Sequence, residues 1–298
     1  MVAVWADLEC YLRFDPSRRG FAGLLRAGSL ERVARRLEQT KRVAIATGFF
    51  IPEAQAVESD GPLGAVFLAR ALLGTGQEVV LLSPAAGSQA LECSQRFLGL
   101  TCPVVLKPPG QVEEQLLDEL RCDVFVAIEY PGQGSDGECR NMRGHSISAH
   151  VPLLDRAFNY AKIQGVFTVA IGDGGNELGC GALAKSVAVA PDGKSIRAAT
   201  EAEVVLAAGV SNWGAYTLVA ALSLLAGVNF VPTPQEERLL LEQLCAVGVV
   251  DGCSGRCEPT VDGIGAEQLN DFLQGLYNYV AENLETQRSV AATSGSSA

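Results

Sequence analysis

A chain of 298 residues, 48% of them hydrophobic and 19% charged, can bury a full-sized core and is no disordered tail. Lys and Arg number 23 against 34 Asp and Glu, a net charge of −11, so no broad basic surface is available to displace counter-ions from nucleic acid. Nine cysteines without a Cys-x-x-Cys pair do not read as a disulfide framework, and Cys253 with Cys257 lacks the two further ligands of a zinc site.

The first 40 residues read as a helical lead-in around Leu24, Leu25, Val33 and Leu37, with Arg32, Arg35 and Arg36 on its wet face. Asp7, Glu9 and Asp15 do not suit a signal or transit peptide, so a cytoplasmic location is expected. Six short apolar runs follow: Arg42–Thr47, Glu78–Leu82, Val104–Leu106, Asp123–Ile128, Val166–Ile171 and Glu203–Ala208. Continuous rather than alternating runs of this length predict strands buried on both faces of a parallel sheet.

Helical patterns separate the strands. Pro62 and Pro152 are placed to open helices, and Val112, Leu116, Leu117 and Leu120 keep helical spacing. The oily run Ala215–Val231 is broken by Thr217, Ser223, Gly227 and Asn229, which predicts a buried helix closed by Gly227 rather than a bilayer span. Thr233-Pro-Gln-Glu236 reads as a capping box, with Glu236 reaching back. The same signature at Thr200–Glu203 gives way to a strand. A last helix carries Leu269, Phe272, Leu273, Leu276, Val280 and Leu284 on one stripe. The expected architecture is α/β: a doubly wound, mostly parallel sheet covered by helices on both faces, with helical N- and C-terminal additions. Residues 1–285 read as a single domain and 286–298 as a disordered tail.

Unusual residues gather where strands end. The first strand runs into Gly48-Phe-Phe-Ile and Glu58-Ser-Asp-Gly-Pro62; the fourth runs into Glu129-Tyr-Pro-Gly, Asp136, Glu138, Arg140, Asn141 and Arg143. The fifth runs into Gly172-Asp-Gly-Gly-Asn-Glu177 and the sixth into Ser211-Asn212-Trp213. Gly, Asn, Asp and Pro are ordinary turn formers. Four such loops on one edge of a parallel sheet, however, mark the crevice where ligands bind. Asp60 and Asn212 each read as a helix N-cap. The glycine loop suits a phosphate at a helix start but matches neither a P-loop nor G-x-G-x-x-G. His145 and His150 are too poorly spaced for a metal pair. The acids suit proton transfer by carboxylates in unlike environments, or Mg²⁺ or Mn²⁺ chemistry with oxygen ligands.

Across roughly residues 40–285 the chain resembles the D-glutamate cyclases, a family that includes the C-terminal domain of an animal mitochondrial form. The resemblance rests on Gly48-Phe-Phe-Ile, Glu58-Ser-Asp-Gly-Pro-Leu-Gly64, Glu129-Tyr-Pro-Gly, Asp136-Gly, Asn141-Met-Arg143, Gly172-Asp-Gly-Gly-Asn-Glu-Leu-Gly179, Gly209-Val-Ser-Asn-Trp-Gly214, Asp251-Gly-Cys-Ser-Gly255 and Thr260-Val-Asp-Gly263. It implies an intramolecular dehydration of D-glutamate to 5-oxo-D-proline without ATP. Arg143 or Arg140 would then fork onto the α-carboxylate, Asp173 or Glu177 act as base, and Glu129 or Glu58 as acid. Asn176, Ser211 and Asn212 would face the oxyanion, with Asn141 and Asp60 as further substrate contacts. No cofactor is required by this chemistry; Mn²⁺ or Mg²⁺ held by Asp136, Asp173 and Glu177, polarising the γ-carboxyl in place of the acid, is the alternative. The expected partner is an amino acid, with neither nucleic acid nor membrane, and a homo-oligomer is left open. The competing readings are a Mg-dependent phosphate-handling enzyme and a non-catalytic amino-acid sensor.

Overall fold

The computed structural model describes residues 2–184 and 187–295. Six parallel strands form the central sheet: β1 (Arg42–Thr47), β2 (Glu78–Pro84), β3 (Val104–Lys107), β4 (Val124–Ile128), β5 (Phe167–Gly172) and β6 (Val204–Ala207). Their spatial order is β6-β5-β4-β1-β2-β3, so the winding reverses between β1 and β4. Every expected strand is present within a residue or two. The expectation of burial on both faces fails for β3 alone: it is the sheet edge, and Leu106 is exposed. An edge strand has a neighbour on one side only, so its apolar run is half covered.

Nine α-helices occur among the described residues: α1 (Val2–Arg13), α2 (Ser29–Glu38), α3 (Pro62–Gly74), α4 (Ser88–Leu98), α5 (Leu116–Leu120), α6 (Asp155–Ile163), α7 (Ser211–Ala226), α8 (Pro234–Ala246) and α9 (Ala266–Gly295). Both faces of the sheet are covered. Phe125 of β4 meets Phe158 of α6 edge-on at 5.1 Å. Its pairing partner Thr168 lies three positions before Ile171, so Ile171 points to the other face. There Ile171 packs on Gly214 of α7, where a Cβ would lie 2.5 Å from its methyl group. On that second face α7 also approaches α3 closely, because Gly64 leaves room for Ala215.

Local signals explain most boundaries and mislead at three. Gly227 ends α7 in the left-handed conformation, as expected. Thr233 caps α8 by accepting from the Glu236 N–H, but the Glu236 carboxylate turns outward to Arg70 at 2.5 Å instead of reaching back. Pro152 does not open a helix: Pro152–Leu153 pairs in parallel with Gly110–Gln111, and α6 starts at Asp155. The stripe on α9 is buried from Leu269 to Leu284. The helix then continues through Gly295 rather than dissolving after residue 285, since no breaker intervenes and the Thr286 and Ser289 hydroxyls donate to the carbonyls of Glu282 and Glu285. Residues 296–298, the rest of the expected tail, lie outside the described residues. No helix among the described residues is long and apolar enough to cross a membrane.

Candidate active site

Where β1 and β4 part, their carboxyl ends open into a cleft of about 220 Å³. A reversal of strand order leaves a gap there because the connections on either side lead away from each other. Glu129, the residue after β4, has φ of +42°, a left-handed conformation that side chains other than glycine rarely adopt. Its N–H donates to the Ile171 carbonyl (3.1 Å) and its own carbonyl accepts from Gly48 N–H (3.3 Å). These bonds hold the turn that sends its side chain into the cleft. The Ser211 hydroxyl donates to Glu129 Oε2 at 2.6 Å. Gly61, at φ +97°, faces this turn, and a Cβ on it would meet Glu129 Cβ at 2.8 Å.

Asp173 enters the same cleft directly after β5, and Glu58 enters it from the segment that joins β1 to α3. All three acids are buried. Burial pushes the Glu129 carboxyl well above the ordinary range, and the charges of Asp173, Glu177, Asp60 and Glu58 add to the effect. Glu58 is raised in the same way by burial, Asp262 and Asp60. Asp173 is raised by burial too, but it alone of the three is in direct ion pair with a cation: the Arg19 guanidinium contacts it and draws its carboxyl back down. Asp173 Oδ2 is buried with no hydrogen-bond partner among the described residues.

Several expected roles do not fit the contacts. Asn212 spends its side chain on the fold: Oδ1 accepts from the N–H groups of Gly61 (2.9 Å) and Gly64 (2.8 Å), and Nδ2 donates to Ser59 O. It is therefore no free donor for an oxyanion, and neither Asn212 nor Ser211 lines the cleft. Asp60 sits behind the cleft wall and accepts from the backbone N–H groups of Ser211 (2.9 Å), Asn212 (2.7 Å) and Gly61 (3.0 Å). Burial and Asp262 nevertheless push its carboxyl up to about 8. Glu177, expected as a base or metal ligand, turns back on its own loop. Its two oxygens accept from Asp173, Gly174 and Gly175 N–H at 2.9, 2.6 and 2.6 Å. Those are the N–H groups the glycine loop would have offered a phosphate, so the cradle is filled by this chain's own carboxylate.

The metal trio of Asp136, Asp173 and Glu177 is likewise not assembled. Asp136 lies half-exposed outside the cleft, paired with Arg140 at 2.7 Å, which removes Arg140 from the site as well. Glu138 is outside too, bonded to the Ser146 hydroxyl. The acids that do converge are Asp60, Glu129 and Asp173, which offer oxygens within 4.8 Å of one another. In that group the Asp60 oxygens already carry three N–H bonds and Glu129 Oε2 the Ser211 bond, whereas Asp173 Oδ2 has no hydrogen-bond partner among the described residues.

Asn141 and Asn176 do line the cleft. Asn141 Oδ1 accepts from the N–H groups of Arg143 (3.1 Å) and His145 (3.0 Å), and Asn176 Nδ2 donates to Arg140 O (2.8 Å), so both also shape the loops. Arg143 stands at the rim, 55% exposed, and among the described residues its guanidinium makes only long contacts, to Glu53 (3.4 Å) and Cys253 O (3.3 Å). Its guanidinium is thus free to turn onto a ligand.

Sequence reasoning missed two members of the site. Arg19 comes from the loop after α1, where nothing in Asp15-Pro-Ser-Arg-Arg-Gly20 announces a half-buried cation in the cleft. Asp262 lies inside the Thr260–Gly263 motif and bonds Arg19 Nη2 at 3.1 Å. That segment is tied down by the wholly buried Asp251, which accepts from Cys253, Ser254 and Gly263 N–H and from the Thr260 hydroxyl. An acid spaced to bond its own loop was visible in the sequence; its reach to the sheet was not.

The model of the family described as "D-glutamate cyclase-like, C-terminal" matches residues 8–277. Over 239 residues the chain is 33% identical to the human protein named D-glutamate cyclase, mitochondrial, covering 74% of this chain and 38% of that protein's length. With a match across nearly the whole sheet and its loops, this chain belongs to the D-glutamate cyclase-like family.

Proposed function

We propose that the protein is a hydro-lyase that closes D-glutamate to 5-oxo-D-proline, with carboxyl groups of the cleft moving the protons. The observation that carries this reading is the pair Glu129 and Asp173. They are buried acids from adjacent strands, with oxygens within 4.8 Å of each other, and only Asp173 is paired to a cation. Such a pair ionises unevenly: one carboxyl stays neutral and the other carries the charge.

Ring closure needs that asymmetry. The substrate enters with an ammonium and a γ-carboxylate, and the amide C–N bond forms as a C–O bond breaks. The nitrogen loses two protons and the departing oxygen leaves as water with two, so the site consumes no net proton. Asp173, through its unpartnered Oδ2, accepts the first proton from the ammonium while neutral Glu129, with Glu58 beside it, donates to the γ-carboxyl oxygen; on collapse the ionised Glu129 accepts the second nitrogen proton and protonated Asp173 donates to the departing hydroxyl, so water leaves and both acids return to their starting state. Arg143 at the rim suits the α-carboxylate, since guanidinium and carboxylate match in two bonds. Holding the chain folded in a cleft of about 220 Å³ gives the amine a high effective concentration at the γ-carbon. The reaction has no need of a nucleotide, in keeping with a glycine loop whose N–H groups are taken by Glu177.

The test is a chiral assay. The protein is incubated with D- and L-glutamate, with and without EDTA, and 5-oxoproline is followed. Formation from the D-isomer that survives EDTA supports the carboxyl mechanism, whereas loss with EDTA assigns the acid's part to a divalent ion. Binding without turnover makes the protein an amino-acid sensor.

A further inference from the structure

Arg19 is built into the cleft more firmly than a surface arginine would be. Asp15 accepts from the backbone N–H groups of Arg19 (3.2 Å) and Gly20 (2.7 Å), fixing the loop. Beside it Phe14 stacks on Trp213 at 5.6 Å, and Trp213 stacks on Phe272 at 4.2 Å. The Phe14 carbonyl lies against Gly209, where a Cβ would come within 2.1 Å of it, so the loop rests directly on the end of β6. From this seat the guanidinium reaches two acids that come from different segments. Nη1 contacts Asp173 after β5, and Nη2 bonds Asp262 in the C-terminal loop at 3.1 Å. The second oxygen of each acid is buried without a partner among the described residues. Glu58 and Glu129 line the same cleft, and neither is in an ion pair with a cation among the described residues.

We infer that Arg19 is the positioning residue that singles out Asp173 as the base of the site, by holding it in an ion pair shared with Asp262. The inference rests on the cyclase reading for its catalytic meaning, but the ion pair itself is measurable without substrate. The groups that face Asp173 are Arg19, Asp262, Asp60, Glu129 and Glu177, and Arg19 is the one cation among them. Removing it leaves Asp173 among acids alone, where it would hold its proton like Glu129 and the division between donor and acceptor would vanish. Arg19 also ties the loop between α8 and α9 to the end of β5.

The experiment measures the ionisation of Asp173 by carboxyl ¹³C NMR of protein labelled at its aspartates, with the signal assigned from Asp173→Asn. In Arg19→Gln the Asp173 midpoint moves up by about 1 to 3 pH units, the effect of losing an adjacent opposite charge. Turnover of D-glutamate at pH 7 falls by about 100-fold or more, the scale of losing a general base, and the acid limb of the pH profile moves the same way. KM changes by less than about threefold, because Arg19 does not hold the substrate. An unmoved midpoint overturns the inference, as does a loss confined to KM, which would make Arg19 a substrate contact. Arg19→Lys keeps the cation and leaves the midpoint in place even if the Gln variant does not fold; a Lys variant whose midpoint rises overturns the inference too. If the unaltered protein forms no 5-oxoproline, the functional reading fails by itself, and the Asp173 midpoints still decide the part played by Arg19.

Discussion

Asp60 and Asn212 cap each other's helices. The Asp60 carboxylate receives the first N–H groups of α7, and the Asn212 side-chain carbonyl receives those of Gly61 and Gly64 at the start of α3. Each residue stands at the head of one helix and serves the other, so the two helix starts flanking the cleft are locked as a unit. Asn212→Ala removes both acceptor bonds and the donor to Ser59 O; the Gly61 N–H keeps Asp60, but the buried Gly64 N–H loses its Asn212 acceptor. A loss of about 1 to 3 kcal/mol is expected, read as a lower urea midpoint with unchanged slope. A midpoint equal to that of the parent would contradict the crossed cap.

Glu177→Gln tests whether the glycine loop is held by charge. The amide keeps one acceptor oxygen and turns an NH₂ toward N–H groups that were accepted before. Destabilisation of about 1 to 3 kcal/mol is expected, because hydrogen bonds to a charged acceptor are the stronger kind. Amide exchange at Gly174 and Gly175 should accelerate well ahead of exchange in β5. Uniform acceleration through the sheet would mean that Glu177 supports the whole fold rather than this loop.

Glu129→Gln preserves shape and can still accept from Ser211, but it cannot donate an acidic proton. Turnover should fall by about 10²- to 10⁴-fold, the range for loss of a general acid, with thermal stability little changed. Arg143→Lys keeps a charge at the rim without the two-pronged fit. It is expected to raise KM for D-glutamate about tenfold, roughly 1.4 kcal/mol of binding. Activity within twofold of the parent would remove Arg143 from the site.

Stability should fall as pH rises through the neutral range. Glu237 is buried between α8 and α7, with Tyr216 Oη donating to it at 3.4 Å, and burial raises its carboxyl from 4.5 to about 7. A carboxyl raised in the folded state binds more protons folded than unfolded, so its contribution is complete below pH 4.5 and is lost as pH climbs to about 7. Asp60 acts in the same direction between 3.8 and about 8. Glu237→Gln should flatten this decline in urea titrations at pH 4.5 and 7.5; an equal slope in parent and variant would refute the assignment.

Five of the six strands were legible because a strand covered on both faces must be apolar throughout, and runs such as Asp123–Ile128 have few other uses; the half-covered edge strand β3 shares only the apolar run. The sequence also placed the acids of the cleft, since Glu129 and Asp173 directly follow strands whose ends must share one edge. Roles within that edge were another matter. Glu177 and Asp173 look alike in sequence, yet one carboxylate folds back onto three N–H groups four residues or fewer away while the other meets Arg19 across 154 residues. Asp60 and Asn212 were both read as caps, but their exchange of partners depends on α3 and α7 lying side by side. Sequence determined which segments pack, because burial is a property of each segment's own side chains. Only the tertiary structure decided which acid gains a cation, because a charge pair depends on the distance between segments that no local pattern records.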